Sequence, residues 1–454
     1  MKFYSNRVWR FIYFLLCFFL LAACGSGGDT SPPPSPAPSP QAGNYYISSS
    51  GSDSSSGSES SPWRTIQKCA DTIGGGETCI VKDGTYTETI FISRSGSEGN
   101  PIYIKAENSR QVTVNGTITL SGRYIRIEGF KMVLPAGQRH TVEISGNYNQ
   151  VAGFYFDTPA GTPGLNSTAL SVGGNYNWVG GNYAQGTCFG IDLSGTYNTI
   201  ERNEVTRLKA VGDCGDVDYM RFFGTGHVIR NNNFHGIVRS EVGDAHVDCF
   251  QTFDYSGPEY SVYNVTIEDN FCSDCDQGAM LQATAHGLSD GLIFRNNVFK
   301  NVLIWGLCIH EIKNVQVYNN TFDMTGGNQG MGCRYGASCE VKNNIFFNGR
   351  SARPYLFDEA TIIDGTAAAP GKNNLLYSVD QTFAGFSDDL TNEDPLFVDR
   401  NSNNYKLQSA SPAIDAGRTI TAWSSPKDRD GISRPQGHAW DIGAFEYTTT
   451  TAAP

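Results

Sequence analysis

Along the middle of the chain, short apolar runs alternate with polar residues and end at glycine, asparagine or aspartate. One loose pattern, apolar-x-x-(Asn or Phe)-x-apolar, recurs: IEGFKM, VAGFYF, VGGNYA, IERNEV, IRNNNF, IEDNFC, FRNNVF, VYNNTF and VKNNIF. Its fourth residues are Phe130, Phe154, Asn182, Asn203, Asn232, Asn270, Asn297, Asn320 and Asn344. Successive spacings are 24, 28, 21, 29, 38, 27, 23 and 24. A period in the low to middle twenties is that of a solenoid. Two short runs per repeat, with no sustained 3.6-residue periodicity, predict strands and not the helices of leucine-rich repeats. Asparagine at an equivalent turn tolerates left-handed backbone and can hydrogen-bond its counterpart in the next coil.

These repeats resemble the right-handed parallel β-helix of pectate-lyase-like proteins over roughly residues 44–370, which implies an all-β solenoid. The opening YYISSSGSDSSSGSESSPWRTIQKCADTIGGGETCIVKDGTYTETI is similar to the start of secreted β-helix proteins. There a short helix, expected near 65–73, covers the open end of the solenoid. Residues 371–454 carry DPLFVD, NYKLQSASPAIDAG, RPQG and DIGAFEY, which resemble the tail of bacterial surface β-helix proteins. This tail is expected to cap and continue the β-helix, with Asp415, Asp430 and Asp441 as turn and packing residues.

Composition supports a β-rich, turn-rich body: 17% of residues are charged, 12% are aromatic and 51 are glycine. The N-terminus has a basic start (Lys2, Arg7, Arg10), an apolar stretch from Phe11 to Leu21 and then Leu21-Ala22-Ala23-Cys24. This predicts a cleaved signal peptide over 1–23. Its end resembles the lipobox of bacterial lipoproteins, which implies lipidation of Cys24, outer-membrane or cell-surface localisation, and membrane contact through that lipid only. Residues 24–43, rich in Ser, Pro and Gly, read as a tether. Removing 1–23 takes three basic and no acidic residues, leaving 30 basic against 45 acidic, a net charge of −15. Such a surface argues against a nucleic-acid partner. Ten of the 12 cysteines fall in the exported body, where disulfides can form. Cys69 with Cys79 is the simplest pair, and Cys272-x-x-Cys275 reads as disulfide or core thiols.

The 38-residue interval between Asn232 and Asn270 is the longest and holds RSEVGDAHVDCFQTFDYSG. An enlarged coil is where function tends to sit. Strand alternation sends Ala245, Val247 and Cys249 inward and Asp244, His246 and Asp248 outward. Gln251 needs a turn or bulge to join them. Two carboxylates beside a histidine can orient and activate the imidazole or hold a cation. The H-x-D-x-x-Q arrangement resembles a segment of carbohydrate-active β-helix proteins. Aligning the coils brings Asp192, Arg221, His246, Asp248, Gln282 and His310 within a few rungs. The expected catalytic set is thus His246, Asp248, Arg221 and His310. Gln251, Gln282, Asp244 and Trp305 are expected to bind substrate. Asp216, Asp218, Asp274 and Asp276 are the candidate ligands for Ca²⁺. His227, His235 and His286 read as surface residues near turns.

The function this predicts is an enzyme, a polysaccharide lyase acting as a monomer on an extracellular uronate-containing glycan. Arg221 or Ca²⁺ neutralises the uronate carboxylate and His246 takes the neighbouring proton. The alternatives on the same scaffold are a glycoside hydrolase using Asp218 and Asp248, a C5 epimerase, and a non-catalytic glycan-binding or adhesin-like protein.

Overall fold

The computed structural model describes residues 43–449 apart from 136, 158–166, 211–213, 325–328, 348, 350–352, 359–360, 363–370 and 378–387. The expected leader, Cys24 and all but the last residue of the tether therefore lie outside the described residues. Each full coil has three strands where the repeat pattern alone suggested two. One coil runs Ile125–Glu128, Phe130–Val133, His140–Ile144, and the next Gln150–Ala152, Tyr155–Asp157, Thr168–Val172. First strands join a 14-stranded sheet; second and third strands share a 22-stranded sheet, paired parallel. The third strand escaped the pattern because the loop before it varies in length. The chain is a parallel β-helix, as the repeat predicts.

The repeat marker is a buried ladder. From Asn182, each asparagine Nδ2 donates to the Oδ1 of the next: Asn182 to Asn203 at 2.9 Å, Asn203 to Asn232 at 3.0 Å, Asn232 to Asn270 at 2.9 Å. It continues through Asn297, Asn320, Asn344 and Asn374. The backbone N–H of each also donates to the next Oδ1, so the amide closes the turn between first and second strands. The residue before each marker is left-handed, with φ of 55° at Arg202 and Asn231 and 58° at Asp269. Glycine or asparagine fills most of these positions for that reason.

The open N-terminal end is covered as expected. Helix Ile66–Thr72 is capped by Thr65, which accepts from Lys68 N, and Cys69–Cys79 ties it to strand Glu77–Val81. The Gln67 amide bonds both the N–H and the carbonyl of Phe91, satisfying the exposed edge of strand Ile90–Ile92. The other disulfides are Cys188–Cys214, Cys249–Cys272 and Cys333–Cys339; Cys275 and Cys308 are buried free thiols.

The tail differs in part from a cap that continues the solenoid. Strand Leu390–Thr391 adds one rung to Leu375–Tyr377, and the chain then folds back along the flank. It docks on the first asparagine of each Asn-Asn pair. Asn296 donates to Lys427 O at 2.7 Å, Asn319 to Asp441 O at 2.9 Å, and Asn343 both donates to Arg418 O and accepts from Arg418 N. The doubled asparagines thus serve two purposes: one ladders, the other holds the tail. Asp415 and Asp441 accept backbone N–H groups and Asp430 pairs with Lys406.

His227 corrects its reading as a surface residue, because it is fully buried. It takes the place of an asparagine in a second ladder, Asn149, Asn177, Asn198. Its Nδ1 accepts from Asn198 N at 3.1 Å and its Nε2 donates to Phe223 O at 2.8 Å. Burial lowers its pKa to about 4. The unfolded chain, with an ordinary histidine near 6.5, binds this proton more readily, so stability present above pH 6.5 is lost as pH falls to 4. The loss is roughly 3 kcal/mol. His227→Asn can make both ladder bonds without titrating. It is expected to flatten stability across that window when urea midpoints are compared at pH 7 and pH 4.5; an unchanged slope would count against the ladder role.

Candidate active site

The site is built on the third strands of successive coils. Alternation is broken there by two consecutive inward residues, Tyr219 and Met220 in one coil and Cys249 and Phe250 in the next, all buried. Asp218 and Arg221, three residues apart, consequently share the outer face, as do Asp248 and Gln251. This supplies the irregularity that Gln251 needed. The register stacks Ser171, Asp192, Arg221, Gln251, Met280 and Cys308 in one outward row. A second row runs Asp248, Gln277, Trp305, Gln329, and a third Gln282, His310, Arg334.

At the centre, Arg221 Nε donates to Asp218 Oδ2 at 2.7 Å and Nη2 to Asp216 Oδ2 at 2.9 Å, with the guanidinium 3.9 Å from the Phe189 ring centroid. One coil on, His246 Nδ1 lies 3.2 Å from Asp248 Oδ2, which also accepts from Gln251 Nε2 at 3.1 Å. Asp248 N donates to Asp218 Oδ1 at 3.2 Å, joining the two halves. Asp216 and His246 are bridged through their backbones. The side chains of Asp218 and Asp248 are 0% exposed, while Arg221 is 17%, His246 35% and Asp216 40% exposed. The buried acids thus lie beneath a half-exposed imidazole and a guanidinium.

Burial raises the pKa of Asp218, Asp248 and Asp192. The Asp248 hydrogen bond raises His246 to about 9 against the opposing effect of burial. Asp248 and His246 thus compete for one proton. It resides on the imidazole, because Asp248 Oδ2 receives two donors that favour its anionic form. His246 Nε2 meets the Gln277 amide at 2.8 Å. Asp248 Oδ1, Gln251 Oε1 and Gln277 Oε1 are buried without a hydrogen-bond partner. Three orphaned acceptors in one cluster mark a site that awaits a ligand.

Other expected residues fall differently. Asp244 is exposed in the turn after the one-turn helix Arg239–Val242, off the strand that carries His246 and Asp248. Gln282 accepts from Tyr255 Oη at 2.7 Å. His310 Nε2 is 3.3 Å from Cys308 Sγ, and burial, with Arg334 nearby, lowers its pKa. It stands two coils beyond His246, so it is apart from the central cluster. The Trp305 indole lies over Gly332, where a Cβ would meet it at 2.5 Å.

The four aspartates expected to hold calcium do not converge. Asp216 and Asp218 face Arg221. Asp274 accepts from Ser273 Oγ at 2.8 Å and Asn301 Nδ2 at 3.0 Å, and Asp276 from Val247 N at 3.1 Å and from Arg239. Among the described residues, the group of three ligand-type atoms lying within 4.8 Å of one another is Cys249, Cys272 and Cys275, two of which form a disulfide. That aspartate set does not fit a calcium ion. Sequence reasoning also missed Gln277 and Phe189. A register shift between Cys275 and Gln277 hides the former's position, and nothing in the sequence separates Phe189 from a core aromatic.

Residues 45–179 match the family model of the Pel9A-like right-handed β-helix region. A segment of 84 residues is 31% identical to the uncharacterized protein YwoF of Bacillus subtilis, covering 18% of each chain. Another of 77 residues is 34% identical to pectate lyase PEL9 of Emericella nidulans, covering 16% of this chain and 19% of that one. The chain thus spans under a fifth of the curated relatives it matches. The crystal structure of pectate lyase Pel9A superposes with a TM-score of 0.51 at 16% identity, covering 90% of this chain and 97% of that one. The fold is the pectate-lyase-like right-handed parallel β-helix. The matched region ends before Asp192, so it describes the scaffold and not the cluster.

Proposed function

We propose that the protein is a polysaccharide lyase that cleaves a uronate-containing glycan at the Arg221–His246 face. The observation that carries this is the buried Asp248 fixed on His246 Nδ1 at 3.2 Å, which leaves Nε2 as the outward nitrogen one coil from Arg221. The hydrogen beside a uronate carboxylate is weakly acidic. Arg221 offset the carboxylate's charge in the sequence-based scheme and keeps that role here, although Asp216 and Asp218 already share its guanidinium. His246 Nε2 takes the proton. The C–H pair becomes a carbon–carbon double bond, and the 4-linked oxygen leaves with its bonding pair and picks up a proton from solvent. Asp248 positions the imidazole and makes it a stronger base than free histidine, which suits a weak carbon acid. Neutral His246 can accept from Gln277 Nε2 until substrate replaces that contact. No step is routed through calcium.

Hydrolysis by Asp218 and Asp248 is disfavoured, because both carboxyls are fully buried and bound to Arg221 and His246 respectively. In the same proposal the enzyme works outside the cell as a monomer, tethered through a lipid on Cys24. The test is a panel of uronic-acid and neutral polysaccharides incubated with the tether-free protein in calcium-containing buffer. Ultraviolet absorbance of unsaturated uronate is expected with at least one acidic polymer. New reducing ends without that absorbance would replace the lyase by a hydrolase, and silence in both signals would favour a binding protein.

A further inference from the structure

The outer face is polarised along the solenoid axis. Around the centre it carries Asp192, Asp216, Asp218 and Asp248 against Arg221 and His246. Past Asp248 the three outward rows hold glutamines, Met280, Trp305, Cys308, His310 and then Arg334, with no acid among them. Glu311 follows His310 in the turn, its carboxylate near Gly287. Asp358 stands at the register position after Arg334. The Arg334 guanidinium lies 4.6 Å from the Tyr335 ring centroid and 6.0 Å from that of Trp305, and His310 packs edge-on against Tyr335. Gln277, only 4% exposed, and Gln329 flank Trp305 in register, each with a buried amide oxygen that lacks a partner.

We infer that Trp305 and Arg334, with the flanking glutamines, form a binding subsite for a second uronate of the same glycan, on the side of the reaction centre toward the C-terminal coils. This rests on the lyase reading and adds where the anionic chain runs. Trp305 is two strand spacings from Asp248, roughly 10 Å, so a chain laid along the axis reaches it within a few sugars. The indole, held flat on Gly332, offers an apolar surface to a sugar ring, the glutamine amides answer its hydroxyls, and the guanidinium answers its carboxylate. An acidic body can bind a polyanion if the path it follows is locally free of acid. The aspartate-rich centre then holds only the reacting sugar.

Arg334→Gln and Trp305→Ala are each expected to raise KM for polygalacturonate about tenfold, a change of about 1.4 kcal/mol, with kcat within about twofold. Trp305→Tyr should restore most of the loss. The companion measurement is retardation of the folded proteins in native gels containing polygalacturonate or neutral galactan, which needs no turnover. Retardation by polygalacturonate that Arg334→Gln weakens supports the subsite even if no lyase activity exists, in which case the lyase reading alone falls. Equal retardation of wild type and Arg334→Gln, equal weakening on both polymers, or no retardation of the wild type would overturn it.

Discussion

His246→Ala is expected to lower kcat/KM on the uronate polymer by roughly 10²- to 10⁴-fold, the usual contribution of a positioned acid–base group, with a thermal midpoint close to wild type. His246 lies at the surface of the solenoid and its removal leaves no core cavity. The pH profile separates a base from a binding residue. With a pKa of about 9, His246 is protonated at neutral pH, so kcat/KM should climb about tenfold per pH unit and level off near pH 9. Asp248→Asn removes the largest cause of the raised value, and its plateau should begin nearer pH 6.5, the ordinary histidine value, at a lower maximum. A rate that falls through pH 9 would mean that the imidazolium is the working form.

Arg434→Met is expected to cost about 3–5 kcal/mol, as breaking a buried ion pair from one side does. Arg434 and Glu446 are both 0% exposed and meet at 2.7 Å; Arg434 also donates to Asn296 Oδ1 and Gly443 O. Removing the guanidinium strands the Glu446 charge and loosens the tail from the asparagine pairs. Urea midpoints should fall and proteolysis should open first between residues 400 and 449. Replacing Glu446 by Leu as well should recover part of the loss, since the unpaired charge is then gone. A loss below 1 kcal/mol (about a fivefold change in the folding equilibrium) would show that the tail is not held through this pair.

The fold was legible because its signal is local and repeated. Asn182 through Asn344 recur at each turn, and the residue before each must accept a left-handed backbone, so the coils could be counted from the sequence. The third strand, the backward path of the tail and the burial of His227 were not legible. Each depends on contacts between distant segments: Asn296 with Lys427 and Arg434, or His227 with Asn198. Within the site, His246, Asp248, Gln251 and Arg221 were found from residue type and the enlarged coil. Gln251 reaches Asp248 only because Cys249 and Phe250 both turn inward, a break in alternation that two apolar letters do not announce. The calcium set failed for a related reason. Aspartates near in sequence, such as Asp274 and Asp276, point to opposite neighbours when they lie on an irregular strand.

Elimination, hydrolysis and mere binding differ in mass balance, so the most direct measurement is mass spectrometry of a defined uronate oligomer after incubation with the tether-free protein. Elimination by His246 predicts two fragments whose masses sum to that of the parent, one carrying an unsaturated end, and no such fragments with His246→Ala. Fragments that together exceed the parent by one water would contradict the lyase account, as would cleavage that persists undiminished in His246→Ala.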